Sequence, residues 1–359
     1  MKNKIYIAGA HSRGQTFRTY IEKLNPDIQV AAYLVDDLGG NELYVDGVPV
    51  FQINRTICKD YPVYLATRGV YHKKLTRELK SLGVQKVIPV TVEFDMELRN
   101  RYVKEVFKEN GRDFKKIDDF ELPASTEAMG LEACIYVANS IYDRPLQCEY
   151  KLTADERIIQ VGAALTDKRI FDDVLTDCES DNISAKNRQY CELTGLYWIW
   201  KNAKEDYLGL VHYRRHFLLP DNWVQRMEQN HIDVILPVPL YVGPNLEDNF
   251  KSRHIPSDWE FLMKYFKEKF PDEYDFVQDV FHGNLYSPCN MFIMRKEVLN
   301  DLCSWMFPIL DAVAEHGGEK EDVYMNRYPG FISERLITYF FERYREKYKI
   351  VYANKNFLM

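Results

Sequence analysis

DYLGLVHYRRHF, residues 206–217, is an apolar strand that runs straight into charge. Tyr207, Leu208, Leu210 and Val211 have the density of a buried strand. His212, Tyr213, Arg214, Arg215 and His216 then end it. Two adjacent guanidiniums present planar, forked donors that suit a doubly negative group such as a diphosphate, and they can neutralise it without a metal. A structural surface on which both arginines pair with acids is the other reading of the same residues.

Outward from this strand the pattern alternates. Leu193, Leu196, Tyr197 and Trp200 share one face of a helix expected over 186–202. Strands are expected at 132–140, 232–240 and 289–294, and helices at 259–270, 296–310 and 329–348. The aromatic stripe Tyr197, Trp198 and Trp200 reads as core rather than as a sugar platform. The first 90 residues repeat strand and helix: KIYIAGA (4–10), a helix carrying Phe17, Tyr20, Ile21 and Leu24, VAAYLVDD (30–37), VYLATR (63–68), a helix ending at Gly83, and KVIPV (86–90). Such a succession predicts a parallel, doubly wound sheet. The polar segment 109–130 has weak periodicity and marks a boundary, giving domains over 1–118 and 119–359.

Bulk properties narrow the function. With 359 residues the chain is long for one core. A net charge of −7 supplies no global basic field for nucleic acid. Seven cysteines without a C-x-x-C pair predict reduced thiols and a cytoplasmic protein. No apolar run approaches the roughly 20 residues of a membrane-spanning helix.

Gly9-x-His11-x-x-Gly14 has the spacing of a dinucleotide fingerprint, with Asp36 where a ribose-binding acid would stand. His11 replaces the glycine that lets backbone approach pyrophosphate. The segments IAGAHSRGQ, YLVDD, VDGVPVF and LATRGVYHKKLTRELKSLG, spanning 4–90, resemble the N-terminal nucleotide-sugar-binding domain of bacterial sugar O-acetyltransferases. Those relatives carry more glycine in the loop and a His where this chain has Arg13. The resemblance implies a Rossmann-like fold, with Gly9, His11, Arg13, Gly14 and Asp36 beside a ligand. A domain used only for packing or homo-oligomer contacts is the alternative.

The second half is similar to a family of bacterial capsular and exopolysaccharide glycosyltransferases, long catalogued as a domain of unknown function. The motifs are DNISAKNRQYCELTGLYWIWKN, DYLGLVHYRRHF, SPCNMFIM and GFISERL, within 132–345. The resemblance implies a GT-A-like fold and transfer of a hexosyl residue, galactofuranose in some members, from a nucleotide sugar. The expected donor is a UDP-sugar and the expected acceptor an oligosaccharide or a lipid-linked glycan, at the inner face of the membrane. Basic and aromatic residues in 343–356 would then touch headgroups or form a solvated helix end.

Most GT-A enzymes hold a divalent metal with Asp-x-Asp, and this chain has none. His212, Tyr213, Arg214 and Arg215 occupy the corresponding strand end, which favours a metal-independent, cofactor-free reaction; a divalent cation is the alternative. Asn182, Lys186, Asn187 and Tyr190 are expected on the donor pocket's rim, at a helix start that favours anions. Ser287 and Asn290 are expected to meet sugar hydroxyls. Glu334 is the expected base for an acceptor hydroxyl, in the first turn of a helix after a Pro-Gly turn, with Arg335 orienting it or touching phosphate and Glu321 and Asp322 as rivals. Two other functions fit the same motifs: a nucleotide-sugar-modifying enzyme such as an oxidoreductase, and a non-catalytic nucleotide-sugar-binding regulator of polysaccharide assembly.

Overall fold

The computed structural model describes residues 2–122 and 130–358. The chain divides into two compact units, Met1–Asp113 and Phe114–Met359.

The first unit opens with β1 (Asn3–Ala8), α1 (Ser12–Leu24) and β2 (Ile28–Val35). A tight hairpin follows, β3 (Tyr44–Val45) and β4 (Val48–Gln52), turned by Asp46 and Gly47 at positive φ. β5 (Val63–Leu65), α2 (Gly69–Ser81), β6 (Val87–Pro89) and α3 (Val92–Glu109) complete it, with Thr91 capping α3 through Phe94 N. The sheet order is β3-β4-β2-β1-β5-β6, and every pairing except the β3–β4 hairpin is parallel. This is the Rossmann-like arrangement, with Gly9, His11 and Asp36 at the carboxyl ends of β1 and β2. Gly9 has φ +110°, and a Cβ on Gly14 would lie 1.9 Å from the Gly9 carbonyl oxygen. The glycine spacing is therefore required by the seating of α1 on the β1 loop.

The second unit starts five residues earlier than the expected boundary at 119, because the strap 114–120 is tied into it. Phe114 stacks on Tyr352, Ile117 is fully buried, and Arg226 donates to the carbonyls of Ile117, Asp118 and Phe120. Of the expected linker, residues 123–129 lie outside the described residues.

Its sheet holds β7 (Ala133–Asn139), β8 (Glu156–Gln160) and β9 (Leu175–Thr176). The helices α4 (Asn187–Tyr190) and α5 (Leu193–Asn202) lead into β10 (Tyr207–His212) and β11 (Phe217–Leu218). The single helix expected over 186–202 is split at Cys191, whose φ of +49° breaks it. α6 (Trp223–Gln229), β12 (Val234–Pro237), β13 (Leu240–Tyr241), α7 (Leu246–Lys251), α8 (Pro256–Lys269) and α9 (Tyr274–Phe281) follow. β14 (Leu285–Tyr286) pairs with β13, and β15 (Phe292–Arg295) returns to the main sheet. α10 (Lys296–Gly317), α11 (Tyr328–Arg343) and β16 (Ile350–Lys355) finish the chain.

The eight strands run in the order β11-β16-β12-β15-β10-β7-β8-β9. β10, β7, β8 and β9 are parallel, while β15 lies antiparallel between β10 and β12. Two expectations change here. The tail 350–355 is a buried strand paired with β12, rather than part of a solvated helix end. Pro329 and Gly330 lie inside the first turn of α11, so Glu334 sits a turn deeper than expected; proline is well tolerated at a helix start. Trp200 stacks on Phe307 of α10, but Tyr197, Trp198 and Trp200 are half-buried, so the aromatic stripe borders the core instead of lying within it. The fold is mixed α/β: a Rossmann-like sheet unit followed by a GT-A-like unit.

Candidate active site

The carboxyl ends of β7 and β8 border a cleft of about 550 Å³. Ile141, Leu146, Ile158 and Tyr150 give it apolar walls, and Arg144, Lys168 and Arg169 are exposed at its border. Tyr213 and His216, just past the end of β10, also line it. His216 is buried and anchored, its Nδ1 2.6 Å from Glu156 Oε1, while Glu156 Oε2 accepts from Thr153 N and from the Tyr150 hydroxyl. This polar floor holds the segment 150–156 beneath the cleft.

Beyond the end of β10 stands a charged centre. His212 Nε2 is 2.5 Å from the Cys289 carbonyl oxygen and 3.8 Å from Glu192 Oε1. Because a carbonyl only accepts, that ring nitrogen carries the proton. Burial pushes the imidazole's pKa down, with Glu192 opposing and Arg215 acting in the same direction as burial. The amide of the same Cys289 donates to Glu334 Oε1 at 2.6 Å, and Arg335 Nη1 donates to Glu334 Oε2 at 2.9 Å. Burial nevertheless drives the Glu334 carboxyl above the ordinary carboxylate range, against the lowering effect of Arg335. Cys289 and Asn290 have φ of +73° and +49°. Non-glycine residues in this region store strain, and such strain gathers where a backbone must present its groups in one direction. Here one strained turn offers a carbonyl to the imidazole and an amide to the carboxylate.

Sequence motifs located this centre but not all its members. Glu192 carried no signal beyond its place after the helix break. It accepts from Asn290 Nδ2 at 2.8 Å and lies beside His212, and its charge is felt at Arg327. Asn290 is buried, with its other groups on Gly330 O and Ser333 Oγ, so it positions Glu192 rather than facing a sugar. Ser287 is buried too, its amide on Thr338 Oγ1. Arg335 is buried, bound to Glu334, Phe331 O and Asn249, and stacked over Tyr286 at 4.9 Å; it orients the carboxylate. Arg214 lies over the Tyr213 ring and donates to the Arg144 carbonyl, at the cleft's edge. Arg215 sits over Phe357 and imposes its charge on His212 and Glu334.

The four expected rim residues are engaged inside the unit. Asn182 staples its own turn through Cys178 O, Ser180 O and Ser184 N. Lys186 and the buried Tyr190 both reach Asp311 Oδ1, and Asn187 bonds Cys191 O and Thr194 Oγ1. A hub that sequence reasoning missed explains this packing. The buried Asp177 carboxylate accepts from Gly162 N, Ala163 N, Ser184 Oγ and Thr194 Oγ1. Glu321 is exposed, and Asp322 caps a short turn at Met325 N.

In the first unit Arg13 Nη1 bonds Thr67 O and Asp36 pairs with Lys74 at 2.7 Å. Among the described residues no three His, Cys, Asp or Glu side chains are grouped as metal ligands. No helix of the described residues is long and apolar enough to cross a membrane.

The cleft at the carboxyl ends of β7 and β8 and the charged centre at the end of β10 belong to the same α/β unit. The chain belongs to the family described as a domain of unknown function (DUF4422), whose model matches residues 147–346. Its fold is similar to the apo structure of WbbM, a bifunctional glycosyltransferase, with a TM-score of 0.54 and 24% identity. The likeness covers 63% of this chain and 45% of that one. No curated protein matches the sequence.

Proposed function

We propose that the chain is a glycosyltransferase moving a hexosyl residue, galactofuranose among the candidates, from a UDP-sugar to an oligosaccharide or lipid-linked acceptor in surface polysaccharide synthesis. One observation carries the reading: Tyr213, which lines the cleft at the ends of β7 and β8, directly follows His212 of the charged centre, and Arg214 donates to the carbonyl of the cleft residue Arg144. The similarity in fold to a glycosyltransferase agrees with it. In this reading the nucleoside occupies the cleft, with Arg144, Lys168 and Arg169 near its phosphates. Arg214 and Arg215 neutralise the diphosphate as the anomeric C–O bond breaks, so that no metal is required. Glu334 takes the proton of the acceptor hydroxyl as its oxygen bonds the anomeric carbon, and Glu192 holds the His212 side of the site. The first unit's carboxyl-end loop, with His11 and Arg13, is a second nucleotide or sugar site in the same reading.

The test is a thermal-shift titration with UDP, GDP, CMP and their sugars, followed by donor hydrolysis. Stabilisation by UDP with slow turnover of a UDP-hexose is expected. Stabilisation by CMP alone rejects the donor. Binding without any turnover, with or without added saccharide, favours the non-catalytic regulator.

A further inference from the structure

Residues 317–327 form a loop that is tied down at several points yet turns two large side chains outward. Lys320 Nζ bonds the buried Asp258 at 2.9 Å and Gly317 O at 2.7 Å, and Gln189 Nε2 reaches Gly318 O. At its tip Val323 is 80% and Tyr324 50% exposed. A held loop gains nothing for its own stability by presenting an aromatic ring and a valine to water.

Behind the Tyr324 ring lies a stack. Tyr324 meets Phe331 with centroids 5.1 Å apart, and Phe331 lies flat on His254 at 4.1 Å. His254 is only 8% exposed, and its Nδ1 has no hydrogen-bond partner among the described residues. Arg327 links this stack to the charged centre: its guanidinium is 5.8 Å from the Phe331 ring, and its Nε is 3.0 Å from Cys191 Sγ, next to Glu192. Phe331 is one turn before Glu334 on α11, so ring and carboxylate share a helix face.

We infer that Tyr324 and Phe331, flanked by Arg327, are the shelf on which the acceptor saccharide lies. The inference rests on the proposed transferase reading and names the acceptor side of that site. The negative face of an aromatic ring attracts the polarised C–H edge of a pyranose or furanose ring, and a guanidinium beside it donates to ring hydroxyls. An acceptor sugar lying there points a hydroxyl along α11 toward Glu334. A lipid chain would find only two rings and a valine beside a charged guanidinium; a saccharide uses both the rings and the guanidinium.

The probes are methyl β-galactopyranoside and its gluco and manno analogues, observed by saturation-transfer NMR on the full chain with UDP present, with decyl phosphate as the lipid arm. At least one hexoside is expected to receive saturation through its ring C–H protons. Tyr324→Ala should weaken that contact roughly threefold to tenfold, and Tyr324→Phe should retain it. UDP affinity should be the same in all three proteins. Hexoside contact that survives Tyr324→Ala overturns the shelf, as does contact by decyl phosphate alone. A wild-type chain that binds UDP but no hexoside removes the shelf and leaves the donor reading standing. A chain that binds no UDP removes the reading on which the shelf depends.

Discussion

Arg214 and Arg215 differ in what they touch, and their replacement should separate chemistry from folding. Arg214 borders the cleft, whereas Arg215 acts through its charge on His212 and Glu334. Alanine at either position should lower turnover by roughly two to three orders of magnitude, the scale of losing one preorganised anion donor. Lysine should restore it only in part, because a point charge does not reproduce the planar fork. Activity should persist in EDTA and should not rise with manganese; strict dependence on a divalent ion defeats this account. Glu334 gives a pH signature. Its carboxyl is raised from the ordinary value of 4.5, mainly by burial, and it works as a base only when ionised. Activity should therefore rise with pH along an acidic limb placed above the normal carboxylate range. Glu334→Gln should remove that limb and cost roughly 10²–10⁴ in rate. An unchanged pH profile in the glutamine variant would assign the base elsewhere, with Glu192 first in line.

At the scale of elements, α1 shows how a motif can be legible while its reason is not. Gly9 and Gly14 stand at fingerprint spacing, yet the structure uses them to seat the helix on the loop after β1. A Cβ at Gly14 would meet the Gly9 carbonyl oxygen at 1.9 Å, and backbone cannot step aside cheaply. Gly14→Ala should destabilise the first unit by about 2 kcal/mol or more, read as a lower melting temperature without any ligand. An alanine variant as stable as the parent would return the glycine to ligand binding. The same lesson holds for α11. Pro329-Gly330 reads as a turn, but proline starts helices, and the extra turn carries Glu334 inward to the Cys289 amide.

For the whole molecule, the strap 114–120 decides where the second unit can be cut. A fragment beginning at Phe114 keeps the stacking on Tyr352, the Lys115 carbonyl bond to Tyr352 N and the buried Ile117. One beginning near 125 loses all three. The longer fragment should fold alone with a cooperative melt; the shorter should be less stable by about 3 kcal/mol, or insoluble, since a buried isoleucine alone accounts for 2–5 kcal/mol. Equal stability of the two would show that the strap contributes nothing.

Local periodicity determined the layered α/β class and the strand that ends in His212-Tyr213-Arg214-Arg215, because buried strands and amphipathic helices write their burial directly into residue order. It also singled out the motifs that carry His212 and Glu334, which the fold brings together on the two sides of Cys289. Tertiary structure decided the rest. β16 was hidden because Lys and Asn flank a short run whose partner, β12, lies more than 100 residues earlier. Glu192 and Asn290 acquired their roles from each other across 98 residues of chain, and Asp177 from a loop and helix start folded around it. Asn182, Lys186, Asn187 and Tyr190 have the residue types of a binding rim, but folding supplied each with an internal partner. A side chain's chemistry is set by its type; whether that chemistry faces a ligand depends on which distant groups claim its hydrogen bonds first.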